Sequence, residues 1–158
     1  MTLEETVHQK VASWRPTAEG RQSLAVFHEP SGWRVRITAD RQENLGCALS
    51  SLSLERSTSG GTKGLRDWAE RISTRVTGLL EPLKLIELDA ERNQALLRSS
   101  EPSRRNDETF YYEVVLKGDR EALVRRYRAA VPGDRREQIA FTLTHEALAK
   151  LTADLAGD

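Results

Sequence analysis

Residues 64–80 constrain the fold more than any other stretch of this chain. Their apolar members follow the spacing of one continuous stripe along an α-helix, with charged and hydroxyl side chains on the opposite side. A helix with one apolar side needs a flat apolar surface to pack on. The flanking segments are predicted to supply that surface as a β-sheet. The stripe consists of Leu65, Trp68, Ala69, Ile72, Val76, Leu79 and Leu80.

The segments on both sides of this helix alternate apolar and polar residues, as half-buried strands do. In the strand that begins at Trp33, apolar residues share one face. In residues 45–56 the apolar parity changes, which predicts a bulge near Ser50 and Ser51. The predicted strands before the helix cover 24–28, 33–39 and 45–56. Those after it cover 83–88, 93–99, 109–117, 121–130 and 139–144.

Capping signals and turn residues define the remaining boundaries. Thr2 and Glu5 have the spacing of a capping box for a short amphipathic N-terminal helix. Thr144 is placed to cap a closing helix over 145–156. Residues 121–130 suit a helix or a strand, and we favour a strand because Gly118 and Asp119 supply a tight turn after the preceding one.

This order of elements predicts an α+β fold: a single antiparallel sheet of about seven to eight strands, packed by a long central helix and by terminal helices. A chain of 158 residues suits one domain, with the N-terminal helix at 1–16 and the α+β core at 22–157.

The composition excludes several classes of protein. Basic and acidic residues both number 24, so the chain as a whole has no net charge to attract nucleic acid or an acidic membrane. Its lone cysteine, Cys47, allows no internal disulfide. Neither a signal peptide nor a membrane-spanning run is present, so a soluble cytoplasmic protein without a membrane partner is expected.

The motifs that suggest chemistry are incomplete. The glycine-rich residues 59–64 precede a helix, but Lys63 is followed by Gly64 and not by the hydroxyl residue of a phosphate-binding loop. Residue 149 is alanine where a zinc helix starting at His145 would have its second histidine, and the other histidines have no metal spacing either. We expect cap and surface histidines, a core Cys47, no metal, no cofactor and no catalytic residue.

One cluster is strongly basic: Arg125, Arg126, Arg128, Arg135 and Arg136, with Tyr127 among them. Such a cluster can bind phosphate or nucleic acid. The neutral overall charge argues against a nucleic-acid partner. Alternation places Arg126 and Arg128 together on one strand face, predicted to be the solvated one. Arg104 and Arg105 are interpreted as part of a solvated loop.

The order of elements, together with the closing stretch FTLTHEALAKL at residues 141–151, resembles a fold shared by several groups. These are the PsbP proteins of photosystem II, the Mog-type Ran-binding proteins and the bacterial DcrB-like proteins, the last being similar to the Eag adaptor chaperones of type VI secretion. The resemblance covers about residues 22–157. It implies an antiparallel sheet flanked by helices and a non-enzymatic binding role, and it carries over no site residue.

Strand 109–117 has apolar residues on both faces, so something must cover its second face or bind there. The N-terminal helix is one candidate cover. The other is a protein partner or a second copy of the chain. We therefore expect a non-enzymatic binding or adaptor domain that holds a protein segment on a sheet face or groove. Its candidate surface consists of Tyr111, Val115, Arg126 and Arg128. The alternative is a small-ligand binder or enzyme with a pocket between sheet and helix.

Overall fold

The computed structural model of the protein describes residues 1–57, 64–130 and 135–157, which form three helices and ten strands. The helices are α1 (Leu3–Ser13), α2 (Gly64–Arg75) and α3 (His145–Ala156). The strands are β1 (Gln22–His28), β2 (Trp33–Gln42), β3 (Gly46–Glu55), β4 (Leu83–Asp89), β5 (Gln94–Ser99), β6 (Ser103–Arg105), β7 (Glu108–Lys117), β8 (Glu121–Ala130), β9 (Arg136–Ile139) and β10 (Phe141–Thr144).

All ten strands belong to one antiparallel sheet with the order β1-β2-β3-β8-β7-β5-β4. The short strands β6, β9 and β10 pair with β7, β8 and β3, respectively. The α+β class and the single antiparallel sheet are thus confirmed.

Strands β3 and β8 pair only at one end, where Leu52 lies opposite Val124, and then separate. Strands β9 and β10 fill the resulting fork. Strand β9 runs inward along β8, the chain turns at Ala140, and β10 runs outward along β3. The side chain of Gln138 donates a hydrogen bond of 2.6 Å across the fork to the carbonyl oxygen of Ser50. Residues 136–144 therefore join two diverging halves of the sheet.

All three helices pack on the same face of the sheet. The indole Nε1 of Trp68 in α2 donates to the carbonyl oxygen of Leu155 in α3 at 2.8 Å, and its ring packs on Trp33. One continuous apolar cluster joins the helices to every long strand. Among its fully buried members are Leu3, Val7, Ile37, Leu52, Ile72, Leu97, Leu116 and Leu148.

Helix α1 lies beside α3 on this face and is part of the core. Leu3, Val7 and Val11 are fully buried. Both ends of the helix are attached to the sheet: His28 in β1 bonds to the carbonyl oxygen of Met1, and Gln42 in β2 donates to that of Val11. The hypothesis that α1 covers the second face of the sheet is therefore wrong.

The central helix is shorter than predicted, because α2 ends at Arg75. Thr77 and Gly78 follow, and both have low helix propensity. Val76 remains in the core, but Leu80 is 78% exposed and does not belong to the apolar stripe. The chain leaves the direction of the helix at this point, and Glu81 forms a buried ion pair with Arg126 on strand β8.

The strand count also exceeds the prediction of seven to eight. Residues 101–107 contain the three-residue strand β6. The sequence did not predict this strand, because the segment is charged and contains a proline. The predicted strand 139–144 is interrupted at Ala140, and a separate strand, β9, precedes it.

Several local predictions are confirmed. The Thr2–Glu5 capping box is formed, and Thr144 caps α3. The register of β2 against β3 shifts at Ser50, as the change of apolar parity predicted. Residues 121–130 form a strand, paired with β7 over its whole length. In the described part of the chain, no helix has the length and apolar composition needed to cross a membrane.

Candidate functional site

We call the sheet face opposite the helices the open face, because no helix of the described residues packs on it. The apolar side chains at its centre lie in one row across neighbouring strands: Leu123 is opposite Val115, and Val115 is opposite Leu96. All three are half-buried, and none belongs to the core cluster. Tyr111 lies four residues from Val115 on the same face. The structure thus brings together two of the four predicted surface residues, Tyr111 and Val115.

A shallow cleft of about 340 Å³ lies over the Val115 and Leu123 part of this row. The small side chain of Ser53 in β3 leaves room beside Leu123. Arg125 is at the rim, and its Nε is buried without a hydrogen-bond partner in the described structure. Lys117 lines the cleft as well, together with the carboxylates of Glu55 and Glu121. The cleft therefore combines an apolar floor with an edge that carries charges of both signs.

Next to this cleft, two tyrosines and two arginines form a layered cluster. The rings of Tyr111 and Tyr127 stack with centroids 5.8 Å apart. The guanidinium of Arg98 lies over Tyr111, and that of Arg136 lies 3.9 Å from the centroid of Tyr127. Both arginines donate to the same oxygen, Oε2 of Glu113, at 3.0 and 2.6 Å. The nearly buried carboxylate of Glu113 thus holds both cations in place.

Basic side chains outnumber acidic ones on the open face, although the whole chain is neutral. Cross-strand register assigns residues to this face, because directly paired residues point to the same side of a sheet. The basic set is Arg34, Arg36, Arg41, Lys84, Arg98, Arg104, Lys117, Arg125 and Arg136. The acidic set is Glu55, Glu87, Asp89, Glu113 and Glu121.

The prediction that Arg126 lies on a solvated face is wrong. Arg126 points to the helix side and makes a two-pronged ion pair with Glu81, at 3.0 and 3.1 Å. Both side chains are nearly buried, with 5% and 3% exposed. The guanidinium also stacks 4.1 Å from the ring centroid of Tyr112. Its role is therefore structural.

Arg128 has the same parity as Arg126, as predicted, but 38% of its side chain is exposed. It pairs with Glu108 and Glu137, so two carboxylates satisfy its charge. The basic run at residues 125–136 thus divides between the two faces. Only Arg125 and Arg136 of its strand residues contribute to the open face.

Glu81 remains ionised at its buried position because several donors surround it. Burial by itself raises the pKa of this carboxyl. The hydrogen bonds from Arg126, Ser103 and Ser99, together with the charge of Arg126, outweigh burial and hold the pKa below its usual value. This network attaches the segment after α2 to β5, β6 and β8.

Cys47 and His145 meet at one residue of β2. The side-chain oxygen of Gln42 accepts from Cys47 Sγ at 2.8 Å and bonds His145 Nε2 at 3.0 Å. Burial raises the pKa of Cys47 to about 11, which makes it an unreactive core thiol, as predicted.

His28 and His145 are buried and hydrogen-bonded, so the prediction of cap and surface histidines is wrong for these two. Within ranges 1–57, 64–130 and 135–157, no three metal-ligating side chains cluster. Of the glycine-rich motif, residues 59–63 lie outside the described residues.

Sequence reasoning missed several residues of the open face, notably Arg36, Leu96, Arg98, Arg104 and Leu123. A register argument could have found them. Once Tyr111 and Val115 are assigned to the second face, a hairpin turn at Gly118 fixes Leu123 beside Val115. The pairing of β5 with β7 has no comparable local signal, because β6 and its loops intervene.

No protein-family model, curated protein or solved structure matches this chain. The resemblance to the PsbP and DcrB-like proteins therefore stays a prediction.

Proposed function

We propose that this protein is a non-catalytic binding or adaptor domain that holds an extended, acidic segment of a partner protein on the open face of its sheet. The observation that carries this proposal is the row of Leu96, Val115 and Leu123, half-buried and not covered by any helix of the described residues, on a sheet face where basic side chains outnumber acidic ones. The core uses the other face completely, so the open face is available to a partner.

The apolar row supplies the contact area. Covering apolar surface contributes about 25 cal/mol for each Å² removed from water. The cleft of about 340 Å³ beside Ser53 gives a partner side chain a place to insert. Tyr111 extends the same surface, since aromatic side chains add large contact area at protein interfaces.

The charges select the partner. Arg36 is exposed on β2, and Arg125 lies at the edge of the apolar cleft. Neither has a carboxylate within ion-pair distance among the described residues. A segment with glutamate or aspartate beside apolar residues complements both features, and its association should weaken as salt screens the charges.

The alternative, a ligand or enzyme pocket between sheet and helices, has less support. At that contact the side chains of Ile37, Leu52, Ile72 and Leu148 are fully buried against one another. The space that such a pocket needs is therefore occupied by packed side chains.

A fluorescein-labelled peptide of alternating glutamate and valine tests the proposal by anisotropy with the full chain. We expect saturable binding that weakens at high salt. The same peptide with lysine in place of glutamate should bind far more weakly, because the basic majority of the open face repels it.

Two substitutions locate the binding site, and each has a matched control on the helix side. Arg36→Glu and Val115→Asp should each weaken binding of the glutamate peptide about tenfold or more. Arg75→Glu, on the exposed end of α2, and Leu80→Asp, at a solvent-exposed leucine, should bind like the wild type.

Equal binding of the two peptides, or binding unchanged by Arg36→Glu and Val115→Asp, would contradict the proposal. So would a dimer in analytical ultracentrifugation that Val115→Asp dissociates. That result would assign the open face to a second copy of the chain.

A further inference from the structure

A second cleft, of about 480 Å³, lies at the end of the open face. We call it the arginine cleft, because Arg98, Arg104, Arg135 and Arg136 line it, and none of its described lining residues is a carboxylate. Strands β5, β6, β7, β8 and β9 all contribute to its wall. Residues far apart in sequence therefore converge on one concave site.

The arginine cleft carries surplus positive charge. Arg98 and Arg136 share the single carboxylate of Glu113. Arg104 and Arg135 make no ion pair within the ranges that the structure describes. Four like charges around a small volume repel one another, and a bound anion relieves that repulsion.

The two inner arginines are held in fixed positions. Each guanidinium rests on a tyrosine ring and donates to Glu113, as described above. A guanidinium has five N–H donors, so this contact leaves others for a ligand. Because these groups are ordered before binding, a ligand loses less free energy in immobilising them.

We propose that the arginine cleft binds a phosphate monoester, with Arg104 and Arg135 as its direct ion-pair partners and Arg98 and Arg136 as the oriented inner donors. A phosphate monoester carries close to two negative charges at neutral pH and has three strong acceptor oxygens. It therefore matches a site with several converging arginines better than a singly charged carboxylate does.

This site goes beyond the proposed function and does not depend on it, since an acidic segment without phosphate can lie on the apolar row alone. The phosphate could belong to a small molecule or to a phosphorylated side chain of a partner. Inorganic phosphate and a short phosphoserine peptide distinguish these sources, and the unphosphorylated peptide is the reference.

The test is isothermal titration calorimetry of the full chain at low salt, with inorganic phosphate, the phosphoserine peptide, its unphosphorylated counterpart and a twelve-nucleotide oligothymidylate as probes. The double variant Arg104→Gln, Arg135→Gln removes the two direct partners, neither of which is ion-paired with another described residue. We expect it to weaken phosphate binding at least tenfold. The matched double variant Arg66→Gln, Arg75→Gln on α2 should bind as the wild type does. Melting temperatures show whether each variant is folded.

Binding of the phosphoserine peptide that is tighter than that of both inorganic phosphate and the unphosphorylated peptide would support the site and assign its ligand to a phosphorylated protein. Equal binding of the phosphoserine peptide and inorganic phosphate would support it and assign a small phosphate compound. The proposal is overturned if neither probe binds at millimolar concentration, or if Arg104→Gln, Arg135→Gln binds normally. It is also overturned if the oligothymidylate, a phosphodiester, binds more tightly than both, because nucleic acid would then be the ligand.

Discussion

The buried pair of Glu81 and Arg126 shows how one residue can mislead a sequence-based interpretation. Arg126 stands in a run of arginines, and strand alternation alone cannot tell a solvated face from a covered one. Its partner lies 45 positions earlier, in the segment that follows α2. The pairing appears only when the sheet brings β8 beneath that segment.

At this scale we predict that Glu81→Gln destabilises the protein by about 3–5 kcal/mol. The substitution leaves the charge of Arg126 buried without its partner, and that loss is large even where the intact pair contributes little. Urea unfolding measures the change. Glu70→Gln, which breaks the exposed pair with Arg66, should cost less than about 1 kcal/mol.

The same variant has a signature in acid. Because the folded-state pKa of Glu81 lies below its unfolded value, its contribution to stability is present above the unfolded pKa, about 4.3, and is lost as the pH falls through the folded pKa. Glu81→Gln should therefore lose less stability than the wild type on acidification below about pH 4.3. Equal acid sensitivity, or equal costs for Glu81→Gln and Glu70→Gln, would show that the pair is not an important ionic contact.

At the scale of elements, strands with strong alternation were predictable and short pieces were not. Trp33, Val35 and Ile37 give β2 an unambiguous inner face, and β7 and β8 are joined by a tight turn. Strand β6 has three residues, too few for a periodic pattern. The end of α2 was missed because Leu79 and Leu80 continue the helical spacing, whereas the network around Glu81 decides where the chain turns.

Three elements meet at Gln42, the last residue of β2. Its amide nitrogen donates to Val11 at the end of α1 at 2.7 Å, and its oxygen bonds His145 at the start of α3. The Gln42 oxygen is an acceptor, so we assign the proton of the neutral His145 imidazole to Nε2. A charged imidazole is unfavourable here: burial, and then the charges of His8 and Arg15, lower the pKa of His145.

This junction predicts a loss of stability in mild acid. The folded-state pKa of His145 is below the unfolded value of about 6.5, so the stabilisation is complete above that value and is lost as the pH falls from there through the folded pKa. The free energy of unfolding should decrease as the pH falls from about 7.5 to about 5.5, and less so in His145→Gln. His8→Gln, at an exposed position on α1, should keep most of the decrease. Identical profiles for the wild type and His145→Gln would contradict this assignment.

At the scale of the whole molecule, net charge conceals how the charges are distributed. Basic and acidic residues are equal in number, yet basic side chains dominate the open face. The parity of β7 correctly placed Tyr111 and Val115 on that face. It could not reveal Arg36 or Arg98, because their position on the same face depends on sheet order, which joins strands distant in sequence.

The position of α1 leads to a final prediction about the whole fold. Deletion of residues 2–14 removes the fully buried side chains of Leu3, Val7 and Val11, each worth about 1.5–3 kcal/mol. Their sum approaches the total stability of a typical domain, about 5–15 kcal/mol. The deletion should also expose apolar surface of α3, not the open face.

We therefore expect the truncated chain to unfold or self-associate, as judged by circular dichroism and size-exclusion chromatography. The milder variant Leu3→Ala keeps the prediction measurable if the truncated chain cannot be purified. It should lower the free energy of unfolding by about 2–5 kcal/mol while leaving binding of the glutamate peptide intact. A truncated chain that is monomeric and as stable as the full chain would show that α1 is not part of the core.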